Sequence, residues 1–452
     1  MEVNKIYQGN NLETLKTFPD NSIDSIVTDP PYGLGKEPDA LEVLQSWITT
    51  GYHEIKGKGF MGKEWDAFVP QPNFWKECLR VLKPGGHLLS FAGTRTYDWI
   101  VIGLRIAGFE IRDQIAWVYS SGFPKSHDIS KAIDKMMGAE REVVGKEKGA
   151  GTTGVNSNGN QTFVAKNKYD DGTYDITAPS TDQAKQWQGW GTALKPALEP
   201  IVMARKPLDG TVANNVLKHG VGGINIDGCR VGLNGEKQPT GSGGVVRNSS
   251  TEHNWGYVGN GGNQTHELGR FPANFIHDGS DEVVKLFPNT QPSSSGGISS
   301  GRNFGQNYDD SAIKILQRTG HDDNGGSASR FFYTAKASQT ERNWGLNEFE
   351  EVKGGSYEFR QDGSLDGKIP TKKNIHPTVK PIDLMRYLVR LVTPKNGICL
   401  DPFMGSGTTA VACKSEKINY IGCELMEEYV KIAEARIKAE VVAYDIFDFL
   451  EE

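Results

Sequence analysis

The stretch that decides the fold is Ile23-Asp-Ser-Ile-Val-Thr-Asp-Pro-Pro-Tyr32, in which an apolar segment leads directly into a rigid polar turn. The segment from Ile23 to Val27 predicts a short buried strand, so the turn follows at the strand's carboxyl end. Ligands of open α/β sheets bind at that end. Pro30 and Pro31 fix the backbone and remove two N–H donors. We therefore expect the Asp29 carboxylate and the carbonyls of Asp29 and Pro30 to be presented as acceptors beside the Tyr32 ring.

Such a turn suits a planar group that carries an amine. The acceptors would take the amine hydrogens, and the Tyr32 ring could stack on the planar group. For an isolated Asp-Pro-Pro-Tyr, a turn with a capping aspartate is the simpler interpretation. The rest of the chain has to decide between these two interpretations.

The composition indicates a globular protein of 452 residues, long enough for two or three structural units. No apolar run is long enough to span a bilayer, and residues 1–9 lack the layout of a signal peptide, so we expect no membrane association and a cytoplasmic location. Five cysteines without a Cys-x-x-Cys pair predict neither a disulfide framework nor a zinc site. With a net charge of −6, binding to nucleic acid would require a local basic surface.

Strand and helix patterns alternate over residues 3–120, which predicts a doubly wound α/β sheet. The predicted strands are Val3–Tyr7, Ile23–Thr28, His87–Phe91 and Phe109–Tyr119. The predicted helices are Leu12–Phe18, Asn73–Leu82 (closed by Lys83-Pro84-Gly85-Gly86) and Tyr97–Ala107. Between Gly33 and Val69 lies a polar and aromatic insertion, which fits either a lid over the Asp29 turn or a simple surface excursion.

The middle of the chain, residues 145–370, has a different character. Glycine, serine and asparagine dominate the stretches Gly149–Gln161, Asn234–Gln264 and Pro292–Asn307. Low-complexity linkers would explain them, and so would long loops of a binding surface. Basic and aromatic residues occur together in the segments between, which suits phosphate neutralisation with base stacking but also an ordinary solvated surface. The candidate DNA-binding residues are Lys195, Arg205, Lys206, Arg270, Arg330 and Lys336.

The α/β pattern resumes after Pro381, with a helix from Ile382 and a strand over Gly397–Asp401. The segment Asp401-Pro-Phe-Met-Gly-Ser-Gly-Thr-Thr409 then predicts a glycine turn that opens a helix. The next strand ends on Glu424, a carboxylate placed to accept hydrogen bonds from ribose hydroxyls. No third glycine follows, and Asp401 adds negative charge where a pyrophosphate would lie. A cationic ligand that contains ribose, such as the sulfonium S-adenosylmethionine, therefore fits better than a dinucleotide.

Taken in order, Asp29–Tyr32, His376–Pro381, Asp401–Thr409 and Glu424 resemble the β-class of amino DNA methyltransferases. The resemblance covers residues 1–120 and 371–440, and Arg270–Asn274 and Arg330–Lys336 are similar to phage and prophage members. It implies a permuted Rossmann-like class I methyltransferase sheet with a large loop-rich insertion. Residues 1–144 would form the catalytic half, 145–370 the target-recognition region, and 371–452 the cofactor-binding half. Val3–Tyr7 would pair with Ile418–Glu424, which would bring the two termini together.

The resemblance also implies roles for individual residues. Asp29, Pro30, Pro31 and Tyr32 would be catalytic, acting on a base flipped out of the duplex. The residues expected to bind S-adenosylmethionine are Asn10, Thr378, Lys380, Asp401, Phe403, Gly405, Gly407, Thr408 and Glu424. Asn10 departs from the aspartate usual near the cofactor adenine, and Lys380 is a candidate for the methionine carboxylate. The family's chemistry needs no metal, and none of the histidines sits at ligand spacing.

The implied reaction is site-specific methylation of the adenine N6 amine in double-stranded DNA, in a bacterial cell and with a phage or prophage gene as one source. Cytosine N4 is the nearest alternative, although a serine is more usual at the Asp29 position of cytosine enzymes. Protein glutamine or RNA methylation, an inactive DNA-binding fold, and a nicotinamide dehydrogenase are more distant alternatives. A homodimer, and either a restriction endonuclease partner or none, are compatible with this class. The recognised DNA sequence is not readable from the chain.

Overall fold

The structure is a computed structural model of the chain. It describes residues 1–55, 66–122, 126–148, 153–155, 161–163, 173–233, 269–290, 297–299, 316–318, 325–335, 339–353 and 371–440. Most of the three glycine-rich stretches, and Lys336 among the candidate DNA-binding residues, lie outside the described residues.

One large sheet organises the described part of the chain. Its strands are β1 (Lys5–Gln8), β2 (Ile23–Thr28), β3 (Leu82–Phe91), β4 (Glu110–Val118), β5 (Leu198–Arg205), β6 (Phe275–His277), β7 (Tyr333–Thr334), β8 (Ile398–Asp401) and β9 (Asn419–Glu424). Their spatial order is β1-β9-β8-β2-β3-β5-β4-β6-β7. All neighbouring pairs are parallel except those of β5, which runs antiparallel to both β3 and β4.

Helices cover both faces of this sheet. They are α1 (Asn11–Lys16), α2 (Ala40–Thr49), α3 (Pro72–Val81), α4 (Tyr97–Ala107), α5 (Ile129–Met136), α6 (Asp182–Gln186), α7 (Val212–His219), α8 (Asp281–Val284), α9 (Gln339–Arg342), α10 (Ile382–Val392), α11 (Thr408–Ser415) and α12 (Glu427–Ala439). One apolar core lies between the sheet and α10, α11 and α12, and a second lies between the other face and α1 to α4. No helix in the described ranges has both the length and the apolar character needed to cross a membrane.

The permuted order predicted from the motifs is confirmed by the pairing of the first and last strands. β1 lies parallel to β9, with Lys5 opposite Ile421 and Gln8 opposite Glu424. The central strand β2 lies between β8 and β3. The N-terminal and C-terminal parts of the chain therefore build one sheet together.

The middle region also contributes to this sheet, which its interpretation as a recognition region alone did not anticipate. β5, β6 and β7 all come from residues 145–370, and β5 lies between β3 and β4 inside the sheet. Short antiparallel strand pairs lie in or next to that region, such as Val143–Lys148 with Thr173–Thr177. The sheet therefore does not end at the sequence boundaries of 144 and 370.

Two local predictions differ from the structure. Lys83–Gly86 was expected to be a loop that closes a helix, but it lies inside β3, which begins at Leu82 opposite Ile23. The described part of the insertion after Gly33 is more than a surface excursion, because part of it packs into the core. Within α2 of that insertion, the fully buried Trp47 meets Trp99 of α4 edge-on, with ring centroids 5.3 Å apart. The insertion thus supplies part of the second core.

Candidate active site

The Asp29 turn and the glycine turn meet because β2 and β8 are neighbouring parallel strands. Thr28, the last residue of β2, donates a hydrogen bond from Oγ1 to Asp401 Oδ1 at 2.7 Å. Both side chains are buried. This bond joins residues that are 373 positions apart in the sequence. Two of the motifs that the sequence separates therefore form a single site at the carboxyl edge of the sheet.

Asp29 is held by two donors. The Tyr32 hydroxyl lies 2.9 Å from Asp29 Oδ1, and the Lys380 ammonium donates to Oδ2 at 2.7 Å. The Tyr32 carbonyl accepts from Thr96 Oγ1 at 2.7 Å, which fixes the turn against the start of α4. Burial, followed by the charges of Asp29 and Glu199, raises the pKa of Tyr32 well above its ordinary value, so the phenol keeps its proton and serves as a donor.

Glu199, which sequence reasoning missed, is the second carboxylate of the site. It lies near the start of β5, and its Oε2 is 2.9 Å from the Tyr32 hydroxyl and 3.2 Å from Lys380 Nζ. Its Oε1 accepts from the Tyr119 hydroxyl at 3.1 Å. Because β5 is antiparallel, its first residues lie at the edge where the parallel strands end. An acidic residue directly before an apolar strand was the available signal, but strand direction is not encoded in an apolar run.

Lys380 lies between the two carboxylates of the site, Asp29 and Glu199. Its contact with the methionine carboxylate of the cofactor stays a prediction. The ammonium is buried, 4.8 Å from the centre of the Phe91 ring and 5.4 Å from that of Tyr32. Burial alone would lower the pKa of Lys380, but the two carboxylates more than compensate and raise it. The lysine is therefore a buried cation held against the Asp29 turn.

The glycine turn is held together by its own side chains. Asp401 accepts from Thr28, from the Phe403 amide and from Thr409, and burial raises its pKa to about 6. Gly405 and Gly407 have φ values of +53° and +83°, which favour glycine. A Cβ on Gly405 would lie 2.8 Å from His376 Nε2, and one on Gly407 would lie 2.7 Å from the Ala433 Cβ. The two glycines are thus required by the packing of the chain itself.

Glu424 and Phe403 are the predicted cofactor residues whose surroundings fit a nucleoside. Each Glu424 carboxylate oxygen accepts one backbone N–H, from Gly405 and Met426, both at 2.8 Å. A carboxylate has about four acceptor positions, which leaves capacity for ribose hydroxyls. Phe403 is half-buried against Phe74, with ring centroids 5.1 Å apart. The residues present therefore suit the ribose and adenine of S-adenosylmethionine.

Three other predicted cofactor residues have contacts within the protein or lie at its surface. Thr408 Oγ1 accepts from Arg436 at 3.0 Å, inside the protein. Asn10 caps α1 by accepting from the amides of Leu12 and Glu13. Thr378 is exposed, and its carbonyl accepts from His376 Nδ1. These contacts explain the residues structurally without a ligand.

Arg205 and Lys206 are not placed to contact DNA at this site. They lie at the end of β5, at the sheet edge opposite Asp29. Arg205 is buried and pairs with Glu110 at 2.6 Å. Lys206 donates to Asn21 and to the Leu82 carbonyl, both at 2.7 Å. Sequence reasoning assigned them to DNA because burial and strand direction are not visible in a basic pair.

Arg270 and Arg330 are engaged by an aromatic ring. Their guanidinium groups lie 4.9 and 4.4 Å from the centre of the Phe331 ring. Arg330 also donates to the carbonyls of Gly326 and Ser327. Arg330 donates to Thr290 Oγ1 as well, at 2.9 Å. The observed contacts of both arginines are therefore with the protein itself.

Lys195 is the candidate that lies exposed on the side of the active site. It belongs to the loop that leads into β5, four residues before Glu199. The same loop carries the exposed side chains of Trp190 and Leu194. The loop is hydrogen-bonded to Ser126 and His127, and residues 126–128 and 189–194 together line a surface cavity of about 720 Å³. This loop therefore presents basic, aromatic and apolar side chains on the segment that leads to Glu199.

A permuted, mostly parallel sheet with an acceptor turn beside a glycine turn defines an amino methyltransferase of the β class. The chain belongs to the DNA methylase family N6_N4_Mtase, whose family model matches residues 23–207 and 270–435. Members of this family use S-adenosylmethionine as the methyl donor.

Individual relatives match shorter parts of the chain. This chain is 41% identical to the type II methyltransferase M2.DpnII of Streptococcus pneumoniae over 78 residues. That segment is 17% of this chain and 29% of the relative. Over 242 residues the chain is 25% identical to M.HindIII of Haemophilus influenzae, 49% of this chain and 64% of the relative. The chain thus spans less than two thirds of these relatives. The solved PvuII DNA methyltransferase, described as cytosine-N4-specific, matches 96% of this chain and 86% of its own, at 13% identity and a TM-score of 0.40.

Proposed function

We propose that the protein transfers a methyl group from S-adenosylmethionine to the N6 amine of adenine in double-stranded DNA. The observation that carries the proposal is the junction of β2 and β8, which brings the acceptors of the Asp29 turn beside Glu424 and the glycine turn. An amine held at the first turn would lie next to a nucleoside held at the second. The family membership supports the same chemistry.

The work of the chain in this reaction is to position the amine and to stabilise developing positive charge. The amine of adenine is a poor nucleophile because its lone pair is delocalised into the ring. Asp29 and the Pro30 carbonyl would accept its two hydrogens and favour a tetrahedral nitrogen with a free lone pair. The cofactor supplies an electrophilic methyl group on a sulfonium. As the nitrogen–methyl bond forms, the sulfur–methyl bond breaks, and the nitrogen then loses a proton to Asp29 or to water.

The base has to leave the duplex to reach this edge of the sheet. Tyr32 would stack on it, which is supported by the contact of its hydroxyl with Asp29 in the same turn. We propose that the loop carrying Trp190, Leu194 and Lys195 contacts the DNA next to the flipped base. From the class of enzyme alone, we propose a location in the bacterial cytoplasm and a homodimer. The protein would act either with a restriction endonuclease partner or as an orphan enzyme.

The N4 amine of cytosine is the closest chemical alternative, since the same two acceptors would hold it. The aspartate at position 29 favours adenine on the resemblance to the family. The two targets give different products, so one measurement decides between them.

The test is to incubate the protein with unmethylated genomic DNA and labelled S-adenosylmethionine and to identify the methylated nucleoside by mass spectrometry. We expect N6-methyladenine from the wild type and none from Asp29→Ala. N4-methylcytosine would replace the proposed target and keep the mechanism. The absence of any methylated nucleoside, with cofactor binding intact, would overturn the proposal.

A further inference from the structure

The donors that hold Asp29 have a second acceptor within reach. Tyr32 has one hydroxyl hydrogen, and its oxygen lies 2.9 Å both from Asp29 Oδ1 and from Glu199 Oε2. Lys380 donates to Asp29 at 2.7 Å and lies 3.2 Å from the same Glu199 oxygen. Each donor can therefore strengthen its contact with one carboxylate as it weakens its contact with the other.

The cluster also has an unequal count of charges. Two carboxylates, Asp29 and Glu199, surround the single cation Lys380, which is buried. With all three groups ionised, the cluster carries one net negative charge. A pair of Asp29 and Lys380 alone would be neutral. The ammonium would then occupy the Asp29 lone pairs that have to accept the hydrogens of the target amine.

We infer that Glu199 is a positioning residue for the reaction. It accepts the hydrogen bonds of Lys380 and Tyr32, so that Asp29 can accept the hydrogens of the target amine. The inference rests on the proposed function. Glu199 does not touch the base in this arrangement, but acts through the two donors it shares with Asp29. It also offsets the charge of Lys380, so that the site stays net negative where positive charge arrives on the nitrogen.

Tyr119 fixes Glu199 from the other side. Its hydroxyl donates to Oε1, which leaves Oε2 directed at Tyr32 and Lys380. Burial, together with the charge of Glu199, raises the pKa of Tyr119, so this phenol remains a donor. Glu199 thus has one oxygen for its own anchoring and one for the catalytic turn.

The first test is Glu199→Gln, which keeps the shape and removes the charge. We expect kcat to fall about 10- to 100-fold, because the lost interaction is a charge-assisted one. The dissociation constant of the cofactor and the KM for DNA should change less than threefold, and 2-aminopurine fluorescence should report unchanged base capture. A kcat equal to that of the wild type would overturn the inference.

The sign of a double-mutant comparison separates positioning from a purely structural role. Lys380→Met alone leaves two carboxylates facing each other and should lower kcat. Adding it to Glu199→Gln removes the ammonium that would then pair with Asp29 alone and so frees Asp29, so the double variant should be more active than Glu199→Gln. A purely structural contact predicts the opposite, so a double variant with a kcat at or below that of Glu199→Gln would overturn the inference.

Two further variants provide a second test and a control. Tyr119→Phe removes only the anchoring hydroxyl and should lower kcat a few-fold, which tests the inference even if Glu199→Gln fails to fold. Glu110→Gln changes a carboxylate of the adjacent strand at the opposite edge and should leave kcat unchanged. A wild type without methylation would refute the proposed function, whereas an active wild type with an unaffected Glu199→Gln would refute this inference alone.

Discussion

At the scale of single residues, Asp29 is the group on which the proposed chemistry depends. Asp29→Ala removes the carboxylate that would accept an amine hydrogen, while Glu199 still pairs with Lys380. We expect methylation to fall at least about 1,000-fold, in line with the loss of a principal transition-state contact. Cofactor binding, measured by calorimetry, should be unchanged because Glu424 and the glycine turn are intact. Substantial turnover by this variant would contradict the assignment.

Tyr32 combines a ring and a hydroxyl, and substitution can separate them. Tyr32→Phe keeps the ring but loses the hydroxyl that lies 2.9 Å from both carboxylates. Tyr32→Ala loses both, and base stacking is worth about 1–3 kcal/mol. We expect 2-aminopurine placed at the target to show weaker capture in the alanine variant and near-normal capture in the phenylalanine variant. Equal capture by all three proteins would show that Tyr32 does not stack on the base.

The residue types of the site were predictable from sequence, but several of their contacts were not. Asp29 and Glu424 follow apolar strands, so their position at one edge could be inferred from the chain. Lys380 was visible as a functional lysine, but whether it faces a cofactor or a carboxylate depends on where β5 lies. That placement is a tertiary event, and the local sequence around Glu199 does not encode it.

At the scale of the elements, the loop before β5 carries exposed side chains a few residues from Glu199. Leu194 is 93% exposed on this loop, and Leu217 is 88% exposed on α7, which follows β5 at the opposite edge. The pair allows a matched test of the DNA-contacting surface. We expect Leu194→Ala to weaken binding to DNA and base capture about 3- to 30-fold, as for an apolar side chain that contacts unstacked bases.

The control, Leu217→Ala, should leave DNA binding and base capture unchanged, because α7 lies at the sheet edge opposite the Asp29 turn. Lys195→Ala should weaken DNA binding and reduce its dependence on salt, since a phosphate contact releases counterions. Equal effects of the two leucine variants, measured by fluorescence anisotropy, would show that the loop is not a specific DNA contact.

At the same scale, strands and helices of the terminal parts were well predicted, and those of the middle part were not. Periodicity located β2 and α4 with the bounds that the structure has. β5 carries an apolar run too, but nothing local indicates that it runs antiparallel between β3 and β4. The burial of α2 was missed for the same reason, since its aromatic residues looked like those of a surface loop.

At the scale of the whole molecule, the buried His87 links stability to pH. Burial, and then the charges of Arg205 and Arg112, lower its pKa from 6.5 to about 4. The unfolded chain therefore binds more protons between these values, and stability that is full above pH 6.5 is lost as the pH falls toward 4. The pKa of His376, lowered to about 4 chiefly by burial, acts in the same direction.

The unfolding free energy of the wild type should fall between pH 7.5 and pH 5. We expect this fall to be about 1–3 kcal/mol smaller in His87→Leu. The measurement is urea unfolding of both proteins at pH 7.5 and pH 5, compared as a difference so that other titrating groups cancel. The buried Asp401, with its raised pKa, acts in the opposite direction and is common to both proteins. A variant with the same pH dependence as the wild type would contradict the role of His87.

The junction of β2 and β8 has a consequence for the protein during its own synthesis. β2 is completely buried in the finished sheet, yet its neighbour β8 lies about 370 residues later in the chain. A ribosome that adds 5–20 residues per second needs roughly 20–80 s to cover that distance. Through this interval the nascent chain has an unsatisfied apolar strand and no complete cofactor site. We therefore expect the nascent chain to be prone to aggregation during this interval. The predicted cofactor residues from Asp401 to Glu424 are the last part of the site to be synthesised.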